Sequence, residues 1–295
     1  MTNIVPRRFI KNQIRGFTSM LLVGVRSLIP LFRPNSVPSN PVTKSSTLPA
    51  AAADLVDHYA EWCGASEGRY LNNLPPHFCS HWALPMLAWL GGHAPYNVLG
   101  LLNQGVRLKI HAPMPRNKPL RVFGELIDVH DDGNRARIHS RVSAGVDGQE
   151  RCITIDSYSV VMHRRIKVKS QRKDQNDLDF KNVGSWSVNE NDGVNFALLT
   201  GDFNPIHTLN AVGRRSQFGG CILHGFGQLA RTYETLVNSG LDIEEIDIRW
   251  IKPVALPSST LNVQVAQNLS DKTRTPIRLV GPGGVVHLVG SIITK

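Results

Sequence analysis

The chain has 295 residues, 41% hydrophobic and 19% charged, enough to bury one large core or two of ordinary size, and this balance excludes wholesale disorder. A net charge of +10 suggests a nucleic-acid partner until it is located: residues 1–53 hold seven Lys or Arg and no acid, leaving only +3 on the other 242. The four cysteines, at 63, 79, 152 and 221, have neither metal-ligand spacing nor the density of a secreted disulfide framework, and read as reduced and mostly buried.

Residues 1–46 form a basic tail and linker. The apolar runs of FIKNQIRGFTSMLLVGVRSLIPLF are broken by Arg15 and Arg26 and are short for a membrane span, and no small-residue cleavage site follows them. An acid-free, amphipathic start fits a peripheral membrane helix, a mitochondrial presequence, or a basic helix packed on the body of the protein. Residues 33–46, RPNSVPSNPVTKSS, read as a Pro/Ser/Asn-rich linker.

From residue 47 the chain repeats. Residues 59–66, YAEWCGAS, match residues 196–203, FALLTGDF; HWALPMLAWL from His81 matches HGFGQLARTY from His224; RLKIHAPMP from Arg107 matches RWIKPVALP from Arg249. Each match is weak, but the three occur in the same order in both halves. In each half a short helix, a loop and a long helix precede strands of alternating pattern such as RIHSRVSAG and ITIDSYSVVMH, which predicts an α+β fold with an antiparallel sheet wrapped around a helix. The expected halves are residues 47–163 and 183–295. The segment between them, residues 164–182, is a charge-rich connector rather than a nucleic-acid patch.

The chemistry concentrates in residues 196–211, FALLTGDFNPIHTLNA, and in CILHGFG, residues 221–227. Asn204-Pro205 forces the chain out of the preceding helix, because proline fixes its own φ and pushes the residue before it out of the helical region. That bend makes a short distance in space of the five-residue separation of Asp202 and His207, a carboxylate and an imidazole suited to acid/base work near neutral pH. HGFGQLARTYETL carries helical periodicity, so Gly225 opens a helix whose unpaired N–H groups and positive dipole end face any developing oxyanion. In the first half Ala65 stands opposite Asp202, the loop is six residues shorter, and Trp82 stands opposite Gly225, so that half lacks the catalytic set. His81 reads as a structural histidine. No dinucleotide fingerprint or metal set appears, and GPGG at residues 281–284 reads as a hairpin turn.

GDFNPIH, followed by HGF beginning seventeen residues after His207, resembles the signature of the MaoC-like (R)-specific enoyl-thioester hydratases and 3-hydroxyacyl-thioester dehydratases. The resemblance is close in the second half and loose in the first, as in hydratase 2 type proteins with two hot dogs. It implies a double hot-dog fold with a degenerate first repeat. It also implies reversible syn addition of water to a trans-2-enoyl thioester, with Asp202, His207 and Gly225 catalytic. Substrate contacts are expected from Asn204, His224, Thr232 and Arg249; Thr232 stands near where single-domain members often place a supporting serine. The substrate is an acyl thioester of coenzyme A or acyl carrier protein, with no further cofactor and no metal. A thioesterase and a non-catalytic acyl-thioester binding module are the alternatives. The expected assembly is a monomeric double hot dog or a homodimer. The expected location is the cytoplasm, with peripheral membrane contact through the tail, or alternatively the mitochondrion.

Overall fold

A computed structural model describes residues 5–29, 34–163, 178–268 and 273–295. Seven helices are described: α1 (Ile10–Leu28), α2 (Ala53–Cys63), α3 (Cys79–Gly91), α4 (Asp192–Thr200), α5 (Pro205–Thr208), α6 (Asn210–Arg215) and α7 (Gly225–Asn238). The ten strands are β1 (Val42–Leu48), β2 (Leu102–Ile110), β3 (Leu120–Asp131), β4 (Arg135–Val146), β5 (Gln149–Met162), β6 (Phe180–Val188), β7 (Ile243–Trp250), β8 (Ser258–Ala266), β9 (Thr275–Val280) and β10 (Val286–Thr294).

All ten strands form one antiparallel sheet in the order β1-β3-β4-β5-β2-β7-β10-β9-β8-β6. Read inward from either end, each half gives the same sequence of strands, first and third to fifth, then second, so the duplication inferred from the sequence is a duplication of topology. The halves join where β2 pairs with β7, with Val106 opposite Ile248 and both fully buried. Each half wraps its strands over its own long helix, α3 against β1, β3 and β4, and α7 against β6, β7 and β8. This is a double hot dog.

Local sequence explains the helices. In α2 the buried residues Leu55, Val56, Tyr59, Trp62 and Cys63 recur at helical spacing and form one face. Both α2 and α4 stop on a glycine in the left-handed region, Gly64 at φ 88° and Gly201 at φ 86°, a conformation that glycine adopts without steric cost. The two glycines are equivalent in the repeat, so the chain leaves both helices alike, and only the second exit carries an acid. All four cysteines are free and buried.

The halves are also tied by polar groups. Glu234 on α7, almost wholly buried, accepts hydrogen bonds from Arg69 (2.6 Å), Tyr70 (2.5 Å) and His77 (2.7 Å), all from the first half. Trp62 Nε1 donates to Asp192 at 2.8 Å.

Two expected boundaries move. Residues 42–48 are strand β1, paired with β3 from Val42 opposite Leu126 to Leu48 opposite Leu120, so the first hot dog begins inside the expected linker. Strand β6 begins at Phe180, inside the expected connector, whose residues 164–177 lie outside the described ones. The tail packs on the body of the protein: Val5 and Phe9, just before α1, are buried, and Gln13 Nε2 on α1 donates to the Leu198 carbonyl at 3.1 Å. Among the described residues no helix is long and apolar enough to cross a membrane.

Candidate active site

The loop after α4 carries the expected pair. Asn204 caps α5, its side-chain oxygen accepting from the Ile206 amide at 3.3 Å, and Pro205 occupies the first helical position, where its missing N–H costs nothing. This short helix turns His207 back toward Asp202, whose carboxylate accepts from the Asn204 amide at 3.3 Å. His207 donates from Nδ1 to the Ile222 carbonyl at 2.7 Å, which leaves Nε2 with its lone pair free for chemistry.

His224, the residue before α7, donates from Nε2 to the Asp202 carbonyl at 2.9 Å. Its ring lies 3.8 Å from that of His207, centroid to centroid, at 32°. The start of α7 is thereby fastened to the loop bearing the carboxylate. No side chain caps α7, so the N–H groups of its first turn are left for a ligand.

Burial raises the Asp202 pKa above the ordinary carboxylate value, against the pull of His207 and of the Asn204 amide. Burial lowers that of His207 below 6.5, against the pull of Asp202. The charged form of each is disfavoured by the site and favoured by its partner, so the two share protons as a unit. His224 is held neutral by burial and by the proximity of His207.

Asp202, His207 and His224 offer donor atoms within 4.8 Å of one another, a set that is large enough to invite a metal. Each imidazole already donates from one nitrogen to a backbone carbonyl, His207 Nδ1 to that of Ile222 and His224 Nε2 to that of Asp202, which leaves one ring nitrogen on each for a ligand or a proton. A separation of up to 4.8 Å between carboxylate and imidazole is the span bridged by one hydrogen-bonded water.

These groups open on a cavity of about 460 Å³. Asp202, Asn204, His207 and Gly225 all line it, as expected from the sequence. His224 stands behind His207 and reaches the site through that ring and the Asp202 carbonyl. Thr232 and Arg249 are not brought to the cavity. Thr232 lies seven residues along α7, about 10 Å down its axis from Gly225, fully buried and with no partner for its hydroxyl. Arg249 is held on the seam between the halves, paired with Asp247 and stacked over Tyr158 at 4.3 Å.

A β-carbon at Gly225 would stand 2.8 Å from the Trp250 ring, so the residue is small because an indole covers it.

The sequence reading missed the part of the wall that comes from the first half: Leu101, Leu102, Asn103, Gln104, Val160 and Met162, with Leu84 from α3. The apolar run of α3 contributes only Leu84; Trp82, Met86 and Leu90 are in the core. Gln228, one turn into α7, also lines the cavity and is buried with its Oε1 unpartnered. His81 does not line it; the ring stacks on Phe78, and burial lowers its pKa to about 4.

Residues 168–280 match the family model described as the MaoC like domain. No curated protein matches the chain. Among solved structures, HtdX of Mycobacterium tuberculosis superposes with a TM-score of 0.67 at 19% identity, over 87% of this chain and 100% of that one. A MaoC-like dehydratase from Phytophthora capsici gives 0.65 at 15% identity, over 88% and 96%. An acyl-ACP thioesterase from Bacteroides thetaiotaomicron gives 0.52 at 6% identity, over 86% and 98%, so the fold alone does not choose a reaction. Residues 168–280 thus resemble the MaoC like domain, and the match lies in the second half of a double hot dog whose first repeat lacks the acid/base pair.

Proposed function

We propose that the protein catalyses the reversible syn hydration of trans-2-enoyl thioesters to (R)-3-hydroxyacyl thioesters. One observation carries this reading: Asp202, His207 and the uncapped start of α7 at Gly225 open on the same cavity. In hydration the Asp202–His207 pair removes a proton from a bound water, and the hydroxide forms the bond to C3. The C2–C3 double bond shifts its electrons toward C1, and the enolate oxygen accepts from the Gly225 N–H. The pair returns the proton to C2. An N–H aimed at such an oxyanion contributes about 3 kcal/mol to lowering the barrier. The first-half wall, Leu101, Leu102, Val160 and Met162, receives the acyl chain. The thioester carrier, coenzyme A or acyl carrier protein, is part of the substrate, and no other cofactor is needed.

Loss of enoyl absorbance tests the proposal, with the purified protein incubated with crotonyl and longer enoyl thioesters on both carriers. Thiol release without a hydroxyacyl product would replace it with the thioesterase reading. Binding without turnover of any substrate would replace it with a binding module.

A further inference from the structure

Among the described residues, helix α1 packs one face on the body of the protein and presents a second, apolar face at the surface. Phe9 (1% exposed) and Gln13 (3%) fix the inner side, and Gly16 packs against Pro85 of α3, so the helix cannot roll to hide its other side. On that outer side Ile10, Ile14, Leu21, Val25 and Leu28 are all half exposed, between 47% and 53%. At 100° per residue these five fall within an arc of about 60°, a continuous apolar stripe, and Leu22, 70% exposed, widens it. Lys11 is exposed in the first turn of the helix, and Arg8, exposed just before it, is paired with Asp54 at 3.2 Å. No acid occurs in residues 1–53, against seven bases.

We propose that this outer face of α1 docks on an anionic lipid surface, the stripe entering the boundary between headgroups and chains and the basic residues meeting lipid phosphates. Charge decides the occupant. A second copy seated on the same stripe would set an acid-free basic segment against itself, which repels, whereas an anionic surface complements it. The apolar surface also leads toward the cavity: α1 packs on the turn Val98–Gly100, and the next residues, Leu101 and Leu102, belong to the cavity wall. The inference is independent of which reaction the cavity performs.

Vesicle co-sedimentation of the full chain tests it, using phosphatidylcholine alone and phosphatidylcholine mixed with phosphatidylglycerol. Binding is expected only to the mixed vesicles at low salt, with a loss of about tenfold or more in affinity as salt is raised. Leu21→Gln/Val25→Gln changes two exposed side chains, so its melting temperature should match the parent while its vesicle affinity falls by a similar factor. Equal binding by parent and variant would overturn the proposal, as would no binding to anionic vesicles at low salt. A dimer in sedimentation equilibrium that the same variant dissolves would assign the stripe to a second copy instead and overturn it too.

Discussion

Gly193, in the first turn of α4, packs against the carbonyl oxygen of His207 so closely that a β-carbon would collide with it. The two residues are fourteen apart, and the contact fixes how far the Pro205 turn closes over α4. Gly193→Ala has no room on the α4 side and must push the short helix, and with it the His207 ring, away from Asp202. The expected result is a fall in kcat of tenfold or more, with KM changed less and thermal stability lowered by about 1–3 kcal/mol. Unchanged kcat would show that the His207 position tolerates movement.

The pair itself is tested by non-additivity. In the proposed mechanism Asp202 and His207 exchange protons with one water, so Asp202→Asn and His207→Ala should each lower the hydration rate by several orders of magnitude, and the double variant only slightly more. Additive losses, or one active single variant, would assign the chemistry elsewhere on the cavity wall.

These residues were legible in the sequence because one short stretch supplies the carboxylate, the turn, the imidazole and the following helix start. The rest was not. Val160 and Met162 lie on one face of β5 at a spacing of two, and alternation reads the same whether that face covers a core or a cavity. Strand β1, VTKSSTL, is an exposed edge strand with five polar residues, and the adjoining prolines made it read as linker. His224 works through a backbone carbonyl and Gly193 through a backbone contact, and neither interaction leaves a pattern of side chains to recognise. The packing of α1 rests on Phe9 and Gln13, two residues that a basic amphipathic segment on a membrane or in a presequence would also tolerate.

Glu234 provides a pH test of how the halves hold together. Burial works against its charge, but the hydrogen bonds from His77, Tyr70 and Arg69 prevail and hold its pKa below 4.5 in the folded protein. A folded-state value below the unfolded one means that the stabilisation is complete above the unfolded pKa and is lost as pH falls through the folded one. Glu234→Gln should therefore cost on the order of 3 kcal/mol at neutral pH, and its deficit should shrink below pH 4.5, where the parent's own carboxylate takes up a proton. Calorimetric melts across that range check it. A deficit that does not change with pH would mean that the loss comes from packing and not from charge.

The stereochemistry of the product follows from where the catalytic groups stand. Asp202 and His207 sit on one loop of the second half and line the cavity together with Leu101, Leu102, Val160 and Met162 of the first half. Under the proposed function one loop handles both hydroxyl and proton, so both should arrive on the same face of the enoyl plane, which is syn addition. In that proposal the Gly225 N–H holds the thioester oxygen and sets which face it is, and the resemblance to (R)-specific hydratases makes it the one giving the (R)-3-hydroxyacyl thioester. In deuterium oxide, chiral analysis should find one C2-deuterated (R) product of syn geometry, with no signal from a coupled (S)-specific hydroxyacyl dehydrogenase. A predominantly (S) product would mean that the thioester oxygen is not held at the start of α7, and the role of Gly225 would fall with it. An anti relationship between the new C–O and C–D bonds would require a second proton donor, and Lys252, the other titratable side chain lining the cavity among the described residues, would be the group to replace next.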